Sequence, residues 1–444
     1  MGKNKFKNYD QGDFYSAYFY SYMPNNKFLD NVDKIIDFKI FNNIFDHFYS
    51  DIGQKAFSPA MQVKVIFLQT NYALSDRQLE ERLNFDLSWK KFVGLPAGFF
   101  GYDHSTLGLF RDRIGVDGYK AIHNYILAQI VDRGLIDVGE PWLKVQLTLC
   151  QNNEIFKDPE VGEAKGTKHV KITRYREKTK EEKPGDRIVS AVDEDARRGA
   201  KSAKKFFLGP KSEITLTGKS HLILNAKGIA GNEPDGGHIF EMVDEVKEIH
   251  GIEPPKIIGD GKYGSIDTRI EGKERGIQVV APLADPVNPT GGYTADKFKY
   301  DPLLSIVICP AGRLTSMNHR NEAAGATVYH FSATVCSVCP QKAQCTKSDH
   351  GRTITIEDTW AITEDARRYL GTPEGRQDMR LRSQLERVND ELKNNLGLKV
   401  SRFYGLAKHQ IQLHATSFVY NIRQAMRLIT RKASEKVATS AAAR

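Results

Sequence analysis

Apolar residues recur at helical spacing between residues 32 and 115. One stripe follows the helix-entry pair Ser58-Pro59, a second helix is predicted after a capping box over Ser75–Gln78, and a third begins at Asp103. Short helices joined by tight turns, with basic residues on the outer face, are compatible with a helix-turn-helix DNA-binding module. They are equally compatible with a plain helical bundle. If the module binds DNA, its expected contacts are Lys90, Lys91, Arg111 and Arg113.

Further along the chain, the pattern changes to short strands separated by helices. Residues 142–149 alternate between apolar and polar, and the mixed-charge stretch at 157–187 is interpreted as a solvated linker. Strands followed by crossover helices predict an α/β sheet flanked by helices. The other strands are predicted at 188–192, 214–217, 222–226, 255–260 and 277–281, with a helix at about 235–250.

The last third of the chain contains a region of a different kind and then returns to helices. Residues 283–360 have Pro-Gly turns, four cysteines and few periodic segments. A helix with a Leu-rich core stripe follows, from Leu381 to Leu396, and Gly397 is placed to end it. The predicted domains are a tail at 1–30, a helical domain at 31–135, an α/β core at 136–283 and 363–431 with an insertion at 284–362, and a tail at 432–444.

Composition adds a charge bias and excludes two classes of protein. The 444 residues include 64 Lys and Arg against 55 Asp and Glu, a net charge of +9, which permits a polyanionic partner such as DNA. The apolar runs fall short of the roughly 20 residues needed to cross a bilayer, and the N-terminus lacks a signal-peptide pattern. We therefore expect a cytoplasmic protein with no membrane role.

Arg382, Glu386 and Lys393 form the most specific charged pattern. In a regular helix, at about 100° per residue, the three fall within about 40° of one line beside the Leu stripe. A carboxylate at such a border can bind a divalent metal, and the cations can hold phosphates. The alternative is an ordinary i, i+4 surface ion pair.

Asp260 is the second acid of interest, because it ends a short apolar strand and precedes Gly261-Lys262-Tyr263-Gly264. Carboxylates at the C-terminal ends of strands lie where ligand sites of α/β sheets form. The alternative is an Asp that only caps a helix or forms a turn.

Several segments together resemble bacterial insertion-sequence transposases of the DDE superfamily, whose catalytic core is ribonuclease-H-like. The resemblance spans about residues 35–428, and its C-terminal signature is Arg382-x3-Glu386-x6-Lys393, with Met379 where a Tyr is usual. The other matching segments are Ala56–Pro59, Asp103–Leu107 with Phe110 and Arg111, Asp193–Arg197, Gly231–Asp235 and Gly259–Gly264.

The resemblance implies a mechanism and partners. Three carboxylates would bind two Mg²⁺ (or Mn²⁺) ions about 4 Å apart, which promote in-line displacement at a phosphodiester. The second and third acids correspond to Asp260 and Glu386, and Arg382 and Lys393 would contact phosphates. The expected partners are double-stranded DNA, as terminal inverted repeats and target DNA, and a second copy of the chain in a homodimer. In a bacterial cell such a protein would be associated with the nucleoid.

The first acid departs from the pattern, because Gln146 occupies the position where these enzymes carry Asp. An amide is neutral and offers a metal only a carbonyl oxygen, so most of the activity should be lost. A deliberate change, a degenerate or domesticated element, and replacement by Asp193 or Asp195 are the alternatives. The expected function is a transposase, with an inactive DNA-binding derivative as the alternative and a general nuclease as a third.

Four cysteines lie close together in the chain and suggest a metal site. Cys336-x2-Cys339, with Cys309 and Cys345, supplies the four thiolates of a tetrahedral Zn²⁺ site. The alternative is a set of reduced, buried cysteines. Similar clusters occur in some relatives within the same insertion, which favours a structural zinc ion.

Overall fold

The computed structural model describes residues 5–7, 9, 13–136, 140–148, 193–202, 205–288 and 291–442. The linker predicted at 157–187 and the strand predicted at 188–192 lie outside these residues. The chain forms two compact units, one of residues 1–257 with 381–444 and the other of residues 258–380. Each unit is described by itself below.

The first unit begins with a bundle of short helices whose ends are fixed by local hydrogen bonds. Ser58 Oγ accepts from Met61 N (3.2 Å), and the capping box predicted at Ser75 and Gln78 is confirmed. The last helix is kinked at Gly115, where φ is +58°. The helices are α1 (Phe14–Tyr22), α2 (Lys27–Ile35), α3 (Ile40–Ile44), α4 (Pro59–Asn71), α5 (Asp76–Phe85), α6 (Leu87–Val93) and α7 (His104–Asp132).

A β-sheet follows in the same unit. Its strands are β1 (Trp142–Thr148), β4 (Lys211–Thr217), β5 (Ile223–Ile229) and β6 (Lys256–Ile258), after the separate hairpin β2 (Arg198–Ser202) and β3 (Lys205–Leu208). The order is β5-β4-β1-β6, and β1, β4 and β5 pair antiparallel. Helix α8 (Ile239–His250) precedes β6, and the unit boundary falls inside β6. Every residue of β4 is buried, as in a strand covered on both faces.

The chain ends in the first unit with a long helix and an irregular one. In the predicted Leu stripe Leu385, Val388, Leu392 and Leu396 are buried and Leu381 is half-buried, and Gly397 ends the segment at φ +75°. The predicted single helix is wrong in detail. It consists of the end of α13 (Pro373–Ser383), then α14 (Leu385–Asp390) and a π turn over Glu391–Asn395. The last helix, Leu406–Ala442, continues beyond the boundary predicted at 431.

This last helix, α15, covers the free edge of β5 with side-chain amides. Gln410 accepts from Gly228 N (2.6 Å) and donates to Ala226 O (2.8 Å), while Asn421 exchanges two 2.7 Å hydrogen bonds with the backbone of Ile223. The amides satisfy edge groups that would otherwise need another strand. The helical bundle and the sheet are thereby held in one unit, because α15 also packs on α7 and α4.

The second unit contains small sheets around a compact apolar core. Its core residues are Phe298, Val307, Tyr329, Phe331 and Ile354. After a 3₁₀ turn at Gly261–Gly264 come α9 (Ile266–Glu274), β7 (Gln278–Val280), β8 (Lys299–Asp301), β9 (Ile306–Ile308), β10 (Leu314–Thr315), β11 (Asn318–Asn321), β12 (Ala326–His330), α10 (Ala333–Ser337), α11 (Lys342–Cys345), β13 (Thr353–Glu357) and α12 (Trp360–Leu370). The strand orders are β10-β9-β8 and β11-β12-β13.

Candidate functional site

Asp260 lies two residues after β6, at the start of the 3₁₀ turn. Its Oδ1 accepts from Lys262 N (3.0 Å), and the residue is half-buried. Gly259 donates its N–H to Val280 O (3.0 Å), and a Cβ at Gly259 would come within 2.9 Å of the Tyr263 side chain. The turn therefore holds the Asp260 carboxylate just after the end of the strand. The hydrogen bond from Lys262 N also gives Asp260 the turn-forming role that was the alternative interpretation.

Glu386 lies in the first turn of α14, where its neighbours Leu385 and Val388 are buried. Glu386 itself and Arg382 are exposed, whereas Lys393 is half-buried within the π turn. Because a π turn closes hydrogen bonds from i to i+5, the regular 100° spacing used to align Lys393 with Glu386 does not hold. Glu386 is exposed next to the buried Leu385 and Val388, and the predicted straight line through the three side chains is wrong.

Asp260 and Glu386 belong to different compact units, Asp260 to the second and Glu386 to the first. Each is described within its own unit. Their convergence on shared metal ions therefore stays a prediction.

Gln146 lies on β1 directly opposite Glu213 of β4. Glu213 is fully buried, and its Oε1 accepts from Gly236 N (2.9 Å). This buried acid beside the first-acid position was missed by sequence reasoning, because the predicted strand began one residue later, at Ile214. A charged residue inside an otherwise buried strand was the available signal.

Asp193 and Asp195 form a structural turn in the described region. Asp193 is 3% exposed and its Oδ1 accepts from Asp195 N (3.1 Å). Asp195 Oδ2 accepts from Leu406 N (2.8 Å), at the first residue of α15. The pair therefore anchors the start of α15, a role that the spacing did not indicate. The use of Asp193 as a substitute first acid stays a prediction.

Two of the four cations predicted to contact DNA in the helical bundle are buried. Lys90 is 1% exposed and donates from Nζ to Ala97 O (2.9 Å). Arg111 is 8% exposed, lies 3.2 Å from Asp76 Oδ1, and stacks on the Phe403 ring. The structure corrects these two predictions, because buried cations with internal partners present no charge to a phosphate backbone.

The other two cations of the bundle are nearer the surface. Lys91 is half-buried, with Nζ 3.4 Å from Tyr20 O, and Arg113 is exposed with its guanidinium over the Tyr49 ring. Either side chain can reach solvent, and their contact with DNA stays a prediction.

The four cysteines of the second unit line one cavity of about 30 Å³. Burial raises the pKa of the Cys345 thiol, the Arg352 guanidinium opposes this, and the three other cysteines raise the pKa further. The thiols therefore face one another across the cavity. Among the described residues, no three cysteine sulfurs lie within 4.8 Å of one another, so a tetrahedral metal would draw them closer.

The candidate ligands at the acidic positions and in the cysteine cavity suit different metal ions. Asp260 and Glu386 offer hard carboxylate oxygens of the kind that Mg²⁺ prefers, whereas Gln146 adds a neutral amide. Four thiolates suit Zn²⁺. Among the described residues, the closest grouping of possible ligand atoms is elsewhere, at Glu80, Asp103 and His104. There Glu80 accepts from both the backbone and the ring of His104, so hydrogen bonding at the start of α7 accounts for it.

Comparison with known proteins gives two matches that follow the order of these parts. Residues 17–113, within the helical bundle, match a family model described as a transposase domain (DUF772). Residues 308–426, which include the four cysteines and Glu386, match a family model described as a transposase DDE domain. No curated protein matches the chain.

A helical transposase module followed by a mixed α/β region and a DDE domain defines a DNA transposase. The two matches support an insertion-sequence transposase of the DDE class. In the described part of the chain, no helix is both long and apolar enough to span a membrane.

Proposed function

We propose that this chain is a transposase that binds the terminal inverted repeats of its own insertion sequence, and that its metal-dependent cleavage and strand transfer on double-stranded DNA are crippled because Gln146 replaces the expected first Asp. Two copies act together on paired ends, in the bacterial cytoplasm at the nucleoid. The observation that carries the proposal is the DDE-domain match across Glu386, in a chain whose helical bundle matches a transposase domain. The antiparallel β1, β4 and β5, with a helix leading into β6, support a ribonuclease-H-like core.

Asp260 and Glu386 would hold the Mg²⁺ (or Mn²⁺) ions, with Gln146 at the position of the first acid. Bound ions of this kind activate the attacking oxygen and neutralise charge on the leaving oxygen. The turn after β6 orients Asp260 through its hydrogen bond from Lys262 N. Arg382, exposed at the end of α13, would hold a DNA phosphate beside Glu386.

The predicted insertion at 284–362 would hold a structural Zn²⁺ at Cys309, Cys336, Cys339 and Cys345. These residues share one cavity, and cations line it as well. The Arg352 guanidinium, which lowers the pKa of the Cys345 thiol against the effect of burial, would help to stabilise a thiolate before the metal binds. The zinc would tie α10 and α11 to the turn after β9, and would thereby set the shape of the insertion.

A second candidate function is an inactive, sequence-specific DNA-binding protein derived from such an enzyme. Gln146 favours it, because an amide removes one negative charge from the metal-binding set. The test compares Gln146→Asp with Gln146→Asn, a neutral side chain with the size of Asp. Supercoiled plasmid carrying the terminal repeats is incubated with each protein and Mg²⁺, and nicked and joined products are resolved on gels.

We expect nicking and joining by the Asp variant alone. Nicking without joined products would indicate a nuclease. If the unchanged chain, Gln146→Asp and Gln146→Asn all bind the repeats and none of them cleaves, the inactive DNA-binding protein is supported. If the unchanged chain cleaves as well as the Asp variant, the interpretation of position 146 is wrong.

A further inference from the structure

Helix α1 carries an aromatic face that no other described part of its unit covers. Its sequence, FYSAYFYSY, contains no Lys, Arg, Asp or Glu. Five of its aromatic side chains are more than half exposed, namely Phe14 (78%), Tyr15 (70%), Tyr18 (54%), Phe19 (51%) and Tyr22 (76%). At about 100° per residue these five lie within one arc of about 140°.

The opposite side of α1 attaches the helix to its unit through hydrogen bonds. Ser16 is buried, and its Oγ accepts from Ala97 N (2.8 Å). Tyr20, one turn later, donates from its hydroxyl to Leu95 O (2.6 Å). The helix therefore buries its polar side and presents its aromatic side, the reverse of an ordinary surface helix.

The exposed rings also contact one another, so the face is formed before any partner binds. The ring centroids of Tyr18 and Tyr22 lie 4.8 Å apart, those of Tyr18 and Phe19 6.0 Å, and those of Phe14 and Tyr15 6.2 Å. From the exposed fractions, the five side chains present on the order of 600 Å². This exposed area equals that of the largest apolar patches on ordinary monomers. It approaches the roughly 800 Å² that each partner buries in a stable dimer.

We propose that the aromatic face of α1 is an interface between two copies of this chain. The face has no cation for DNA phosphates, and an uncharged aromatic surface is complementary to a second copy of itself in a two-fold arrangement. Aromatic side chains are also those enriched at the centres of interfaces. The inference rests on the proposed function in one respect, that two copies act together, and it names the surface through which they associate.

The test is sedimentation velocity of the 444-residue chain without DNA or Mg²⁺, at protein concentrations of 1–100 µM, a range of about two decades. Tyr18→Glu with Tyr22→Glu places two charges on the face, and Leu303→Glu with Leu304→Glu is a matched control at exposed apolar positions of the second unit. We expect a dimer for the unchanged chain and for the control. The Tyr18/Tyr22 variant should dissociate with a Kd raised at least about 100-fold. Its circular dichroism spectrum should be unchanged, and so should its melting temperature at a concentration where both proteins are monomeric.

A monomeric unchanged chain at the highest concentration, or a variant that remains dimeric, would overturn the proposal. So would a variant whose DNA binding is lost while its dimer is retained, because that outcome assigns the face to DNA. Cleavage by Gln146→Asp is measured separately, so a failure of the catalytic proposal leaves this result readable. A variant that melts earlier is replaced by Phe14→Ser with Tyr15→Ser, on the first turn of the helix, and the same outcomes apply.

Discussion

Two buried histidines should make the first unit sensitive to acid. His409 is fully buried on α15 with Nε2 2.8 Å from Ser212 Oγ, and burial lowers its pKa to about 4 despite the opposing effect of Asp193. His123 on α7 is 1% exposed, and burial likewise lowers its pKa to about 4. Its hydrogen bond to Ile223 O opposes the shift. In an unfolded chain both side chains would titrate near about 6.5.

The sign of the effect follows from these pKa values. Below pH 6.5 the unfolded chain takes up protons at both positions while the folded chain does not, so acid favours unfolding. The stability is complete above about pH 6.5 and declines until about pH 4. Each histidine should remove about 2 kcal/mol by pH 5, at about 1.4 kcal/mol per pH unit.

His409→Gln tests the magnitude, because an amide can still bond to Ser212 and does not titrate in this range. The free energy of unfolding is measured by urea denaturation at pH 7.5, 6.5, 5.5 and 5.0, with fluorescence of the buried Trp142 as one reporter. Between the highest and lowest of these pH values, about two and a half units apart, the variant should gain about 2 kcal/mol relative to the unchanged chain. The exposed His350 gives the control His350→Gln, which should follow the unchanged chain.

Parallel curves for the unchanged chain and His409→Gln would refute the reasoning. They would show that His409 has the same proton affinity in the folded and unfolded chains. The side chain would then be accessible to water in the folded chain, and not buried as the structure shows. A loss of stability that begins only below pH 4 would point instead to carboxylates.

Three further results are expected. The chain purified under reducing conditions should hold about one equivalent of zinc by metal analysis, and Cys336→Ser less than half of that; equal zinc in both would exclude the site. Lys90→Met should lower the free energy of unfolding by about 1–3 kcal/mol and leave the salt dependence of DNA binding unchanged. Arg113→Ala should reduce the slope of DNA affinity against salt concentration by about one. The reverse pattern would restore Lys90 as a DNA contact. Gly397→Ala should destabilise by about 1–2 kcal/mol in urea denaturation, because φ is +75° there; no change would mean that the turn adjusts.

Local signals in the sequence predicted local structure well. The capping box at Ser75 needs only neighbouring residues, and so does the Gly397 stop, which is why both are confirmed. The π turn after Asp390 was missed because a single extra residue per turn leaves the apolar stripe almost unchanged. Lys90 was misjudged for another reason, since its buried partner Ala97 O is a backbone atom that carries no sequence signal.

Contacts between distant parts of the chain could not be predicted from the pattern of apolar residues. The amides of Gln410 and Asn421 cover an edge strand more than 180 residues away in the chain. The hydrogen bond from Leu406 N to Asp195 spans 211 positions. A pattern of apolar residues identifies which elements are amphipathic, but several pairings of those elements bury similar areas. The polar contacts that choose among them are visible only when the strands and helices are in place.

The net positive charge of the chain lies in one of the two units. Residues 258–380 contain 15 Lys and Arg and 15 Asp and Glu, so the whole excess of +9 lies in the other unit. In residues 381–444 alone, 12 basic residues stand against 4 acidic ones. Because phosphate contacts dominate affinity for DNA, binding should depend mainly on the first unit. The second unit carries Asp260 and the cysteine cavity, so damage there should reduce cleavage by the Gln146→Asp variant far more than it weakens DNA binding.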